Sequence, residues 1–166
     1  MIVDLYYFHR LFQFFTNWTI LVNTIYFALA IYASKSKSLS TLAAHHIFFE
    51  ISFMMNFITM VVFWSVLLNQ ALKDCEGHQG RIFNVYYAHL VPGISALINF
   101  IITDVVIRAS HVKIILPISA AYGVVNYLEV KSLGRPLYWF LTWEDMTSVY
   151  IYLGLMVFFS FVYIGL

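Results

Sequence analysis

Five apolar runs, each about as long as a bilayer-crossing helix, alternate with short polar breaks through the 166-residue chain. The runs cover roughly residues 12–33, 41–68, 82–107, 114–130 and 146–166. They are closed by SKSKSLS, NQALKDCEGHQGR, RASHVK and KSLGRPLYWFLTWED. A hydrocarbon core of ~30 Å takes about 20 apolar residues at a rise of ~1.5 Å each. Lipid offers backbone N–H and C=O groups no partner, so each run has to be a helix. The pattern predicts an all-α polytopic transmembrane helix bundle of about five spans, forming one integral membrane domain over residues 1–166. Composition points the same way: 62% of residues are apolar, 10% are charged and mean hydropathy is +0.83. A soluble domain of this length has no interior large enough to hide that surface. Sixteen Phe, twelve Tyr and four Trp exclude a disordered chain.

The stretch 134–145, GRPLYWFLTWED, is neither apolar enough nor regular enough for a span. Trp and Tyr favour the headgroup level, so it reads as one short interfacial aromatic segment before the last span. No internal repeat or low-complexity stretch interrupts the series.

Nine Lys+Arg against eight Asp+Glu leave a net charge of +1, with no basic tract. Nucleic acid is therefore excluded as a partner, and membrane lipids are the expected surroundings. The single Cys75 excludes an internal disulfide and a cysteine-based metal cluster. The opening MIVDLYYFHR carries an acid and no basic leader, so insertion is expected to be directed by an internal span. Five spans put the two ends on opposite sides. Arg10, Lys73, Arg81, Lys131 and Arg135 then share one side, and Lys35, Lys37, Arg108 and Lys113 the other. That near-balance does not set the orientation.

Polar groups within the runs are costly in lipid and so are the candidates for function. In the first run Gln13, Thr16, Thr19 and Asn23 fall on one stripe at ~100° per residue. The stripe must face protein or a cavity; the simpler alternative is helix packing, with the Thr hydroxyls bonding back to their own helix. In the third run His89 precedes Pro92, which leaves the Ala88 carbonyl without its helical donor, and Gly93, which admits a close neighbour. A His beside a broken turn suits a cavity, and a neutral His bonded to another helix is the alternative. Glu129, ending the fourth run, reads either as orienting that His or as a headgroup-level acid.

His46 and Glu50 stand four apart, two ligands at most for a metal, and read better as an interfacial pair. Asp104 and Arg108, also four apart, read as an ion pair on one helix. Ser119 and Gly123 read as a helix-packing face. No metal and no organic cofactor is called for. Nor is there a charge ring or a repeated pair of broken helices that would mark a channel or transporter.

Four segments, taken in order, resemble a known family. They are FFTNWTILVNTIYF (14–27), VVFWSVLLNQ (61–70), HLVPGISALINF (89–100) and GRPLYWFLTWED (134–145). Together they resemble the androgen-induced (AIG-type, FAR-like) membrane proteins, over most of the chain from Phe14 on. The resemblance implies a multi-span hydrolase of fatty acid esters of hydroxy fatty acids. It implies Thr16, in Phe15-Thr16-Asn17, as the nucleophile and His89 as the general base. Asn17 and Asn99 are the nearby amides expected to serve as weak oxyanion donors or substrate contacts, with Glu129 a further weak candidate. Phe and Tyr side chains would line the path of an acyl chain entering between helices. The alternative is a non-catalytic accessory subunit of a large membrane complex, such as a respiratory assembly, with other membrane-protein subunits as partners. An endomembrane location goes with the enzyme, the mitochondrial inner membrane with the subunit.

Overall fold

The computed structural model describes residues 12–36 and 38–166. The whole opening MIVDLYYFHR segment, Arg10 included, and Lys37 lie outside the described residues. The protein is all-α. Its long helices are α1 (Phe15–Lys35), α2 (Leu39–Asp74), α3 (Gln79–Ile102), α4 (Val112–Leu133) and α5 (Met146–Gly165). Helices α1, α2, α3 and α5 are long and apolar enough to cross a membrane, which makes this an integral membrane protein. The fourth expected span, α4, is a 22-residue helix carrying Pro117, Asn126, Glu129 and Lys131, and it is not among those four.

Element ends follow local chemistry. α2 continues six residues past its expected end, through a π-helical turn at Phe63–Leu67, and stops at Asp74. There Glu76 and Gly77 both take left-handed backbone conformations that end the helix and turn the chain. α3 stops at Ile102, five residues short of expectation, where the Thr103 hydroxyl donates to the Asn99 carbonyl at 2.7 Å. The β-branched Thr103, Val105 and Val106 around Asp104 disfavour another turn. Asp104 and Arg108 therefore do not share a helix turn, and the i,i+4 ion pair expected of them is not built. α4 closes on Gly134, left-handed at φ 64°, whose N–H donates to Val130 O at 3.0 Å. The aromatic segment 134–145 is non-helical, as the sequence predicts. Asp145 then caps α5, its carboxylate accepting from Thr147 N–H at 2.9 Å.

The contacts divide the chain into two compact units, Met1–Trp18 with Ile107–Leu166, and Thr19–Val106. In the second unit α2 supplies the centre: Phe49, Ile51, Phe53, Met54 and Met55 are buried. Phe53 stacks on Phe100 at 4.5 Å between ring centroids, and Phe49 on Phe53 at 6.3 Å. Gly93 of α3 lies so close to α2 that a Cβ there would stand 2.0 Å from the Met60 sulfur. In the first unit α4 and α5 pack through Gly123, where a Cβ would stand 2.5 Å from a Tyr152 ring carbon. The Tyr152 hydroxyl donates to the Ser119 carbonyl one turn away. Phe159 and Tyr163 of α5 are buried.

Candidate functional site

The α1 stripe divides between the two units. In the second unit Thr19 and Asn23 point into polar groups of α2. The Thr19 and Thr59 hydroxyls lie 3.0 Å apart, both buried. The Ser52 hydroxyl donates to Asn23 Oδ1 at 2.7 Å, and Asn56 Nδ2 donates to the Ser52 carbonyl at 2.8 Å. Buried polar atoms in lipid need such partners. Ser52, Asn56 and Thr59 stand at i, i+4 and i+7, a second polar stripe that sequence periodicity carries and that is easily missed among α2's apolar residues.

His89 of α3 is half-buried, its ring stacked on Phe63 at 3.6 Å between centroids and 9° between planes. Its Nδ1 lies 2.8 Å from the Val85 carbonyl. A carbonyl only accepts, so Nδ1 carries the proton and Nε2 is the basic nitrogen. Phe63 opens the π-helical turn of α2, where the Leu68 N–H reaches back five residues to Phe63 O. One extra residue in that turn re-aims the side chains after it, a device common near functional sites. Trp64, next to Phe63, stacks on Tyr86 at 5.6 Å, and its indole N–H is buried with no hydrogen-bond acceptor. Asn99, the nominated oxyanion donor, uses its Nδ2 to donate to the Tyr26 hydroxyl.

His46 and Glu50 are paired as the spacing suggested, Nε2 to Oε1 at 2.9 Å. Glu50 is only 1% exposed, so protein covers its carboxylate, while His46 is partly exposed. Its neighbour His45 stacks on Tyr26 at 5.3 Å.

The first unit holds the other candidates. Thr16 and Asn17 sit half-buried in the first turn of α1, where Asn17 N–H donates to Phe14 O at 3.0 Å. Glu129 is buried and accepts from Gln13 Nε2 at 3.0 Å. Beside this pair runs a chain of hydroxyls. Phe15 N–H donates to the Tyr138 hydroxyl at 3.2 Å, the Tyr138 and Tyr122 hydroxyls lie 3.0 Å apart, and Tyr122 donates to Gln13 O at 3.0 Å. Tyr122 has one hydroxyl proton, so every member is satisfied when Tyr138 donates to Tyr122 in turn. Phe15 and Trp18 pack edge-on against the Tyr122 ring at 5.0 and 5.6 Å. Burial pushes the Tyr138 phenol above its ordinary value, with its contacts to the Tyr122 hydroxyl and the Phe15 N–H partly opposing that. Neither tyrosine stood out in the sequence, because twelve tyrosines leave none distinctive.

Gln13 and Glu129 are thus brought together, whereas Asn99 is joined to Tyr26. Thr16 belongs to the first unit and His89 to the second. No protein-family model, curated protein or solved structure matches the chain.

Proposed function

We propose that this integral membrane protein hydrolyses lipid esters, with Thr16 as nucleophile and His89 as general base. The reading rests on the four segments that resemble the AIG-type family. The observation that supports it best is the state of His89. An imidazole held by Val85 O at Nδ1 and stacked on the Phe63 ring has its orientation fixed, which a general base requires. In the proposed step Nε2 takes the proton of Thr16 Oγ1 as that oxygen attacks the ester carbonyl. The proton passes to the leaving alcohol as the C–O bond breaks, and water releases the acyl group from Thr16. Asn17 is the amide nominated to donate to the oxyanion. The substrate class is fatty acid esters of hydroxy fatty acids, and no metal or cofactor takes part. The test is covalent labelling with a fluorophosphonate probe in native membranes. Labelling that is lost in both Thr16→Ala and His89→Ala, with expression unchanged, is the expected result. Wild-type protein that neither labels nor cleaves such esters would overturn it.

A second reading, a non-catalytic subunit of a membrane assembly, draws on a different observation. Thr19, Asn23, Asn99 and Glu129 are all engaged in hydrogen bonds that join segments of the same unit, as packing residues are. Co-purification at fixed stoichiometry with other membrane subunits, without probe labelling, is what that reading expects.

A further inference from the structure

Within the first unit α4 and α5 do not close completely. Between them lies a cleft of about 390 Å³, floored by Ala120 and Gly123 of α4 and walled by Tyr152 and Met156 of α5, with Tyr127 and Trp143 at one end. The two helices run antiparallel from the 134–145 connection, so the order of residues along them is an order of depth. From Tyr127 to Ala120, and from Val149 to Met156, the cleft descends about 10 Å at ~1.5 Å per residue. Its lining is apolar throughout that depth. At its mouth are the Trp143 indole and the Tyr127 ring. One turn beyond Tyr127 stands Lys131, its Nζ 5.7 Å from the Tyr127 ring centre and donating to Trp143 O at 2.9 Å.

That sequence of layers, cation, then aromatic collar, then apolar trough, matches one leaflet of a bilayer read from headgroup to acyl chain. We propose that the α4/α5 cleft is a resident phospholipid site. One acyl chain fills the trough above Gly123, and the lipid phosphate sits on Lys131. The Lys131 ammonium has three N–H donors, and one is taken by Trp143 O, so two remain for phosphate oxygens.

The backbone at the mouth is built to hold this shape. Trp143 is one of two non-glycine described residues with positive φ, at 56°. A bulky residue takes that conformation only when its surroundings impose it. Here Trp143 N–H donates to Ser148 Oγ at 2.9 Å and the indole N–H donates to Asn126 Oδ1 at 2.7 Å, with Asn126 fully buried. A tryptophan free to take a relaxed backbone would not stand over the cleft mouth. Glu144 and Asp145 also lie at this end. Asp145 caps α5, and Lys131 is the cation in contact with the collar. The inference does not depend on ester hydrolysis.

The test uses the full-length protein in phosphatidylcholine vesicles containing a trace of phosphatidylglycerol with a diazirine on one acyl chain. Photolysis and peptide mapping are expected to concentrate the cross-link within residues 120–127 and 149–156. Ala120→Phe, at an exposed trough position, should abolish that concentration. Val124→Trp serves as a second filling variant if the first expresses poorly. Lys131→Gln should weaken labelling about fivefold, the size of one lysine–anionic lipid contact. Label spread evenly over exposed positions such as Ile101 and Phe161, unmoved by either filling variant, would overturn the site. So would protection of the cleft by a second copy, seen as disulfide-linked dimer from Leu153→Cys in a Cys75→Ser background.

Discussion

At the scale of single residues, the bilayer makes each hydroxyl and amide a structural decision. Thr59 gives the clearest measurement. Replacing it with Val removes the group 3.0 Å from the Thr19 hydroxyl. Interhelical hydrogen bonds in membrane proteins average ~0.6 kcal/mol, with a ceiling near ~1.7. Thr59→Val is expected to lower stability within that range in a denaturing-detergent titration, and the Thr19→Val/Thr59→Val cycle to return a coupling of similar size. A coupling near zero would mean the two hydroxyls do not depend on each other. Tyr138 carries a pH signature. Its phenol is raised by burial, so folding favours the protonated form. The stabilisation is therefore complete below the unfolded value of ~10 and is lost as pH rises above it. Alkaline unfolding should be visibly shallower in Tyr138→Phe, which at neutral pH costs about 1 kcal/mol for its lost hydrogen bond. An unchanged alkaline limb would show that the hydroxyl chain is not the titrating element.

Elements meet where their surfaces permit, and α2 against α3 is a case in which a single atom sets the distance. A Cβ at Gly93 would overlap the Met60 side chain, with 2.0 Å to sulfur and 2.5 Å to Cγ. Methionine is flexible and can move aside in part. Gly93→Ala should cost about 1–3 kcal/mol, as overpacking does, and Met60→Ala in the same chain should recover most of it. Failure of that rescue would place the strain in the backbone instead. Gly93 was visible in the sequence as a point of close approach, but nothing there named Met60. The π-helical turn Phe63–Leu67 left no sequence signal, since FWSVL is unremarkable for a helix. It rotates the rest of α2 out of simple register, so the facing of the residues from Leu68 to Asp74 was not deducible by counting. The end of α3 has a local signal, the β-branched residues that follow Ile102. The apolar run continues to residue 107 while the helix ends at Ile102, because hydrophobicity and helix propensity are separate properties of the same residues.

For the whole molecule, the open question of topology turns on α4. At ~1.5 Å per residue its 22 residues reach about 33 Å, enough to cross a ~30 Å core. It is flanked by Arg108 and Lys113 at one end and by Lys131 and Arg135 at the other. We expect it to span. Cysteines placed at the exposed Ser110 and Ser132, in a Cys75→Ser background, should then react with an impermeant maleimide from opposite faces of the membrane. Reaction from one face would make α4 a membrane-surface helix. The sequence by itself determined that the chain is all-α and integral to a membrane. Hydrocarbon offers no hydrogen-bond partner, so long apolar runs have one outcome whatever their neighbours. It also placed the non-helical aromatic segment, because Gly134, Pro136 and the aromatics act locally. Tertiary structure alone decided which polar groups meet: Thr19 with Thr59, Ser52 with Asn23, Gln13 with Glu129, Trp143 with Asn126. It also decided that Glu50 is buried and that Gly93 faces Met60. Those pairings depend on helix rotation and on where each helix starts and stops, and a shift of one residue turns a side chain by ~100°.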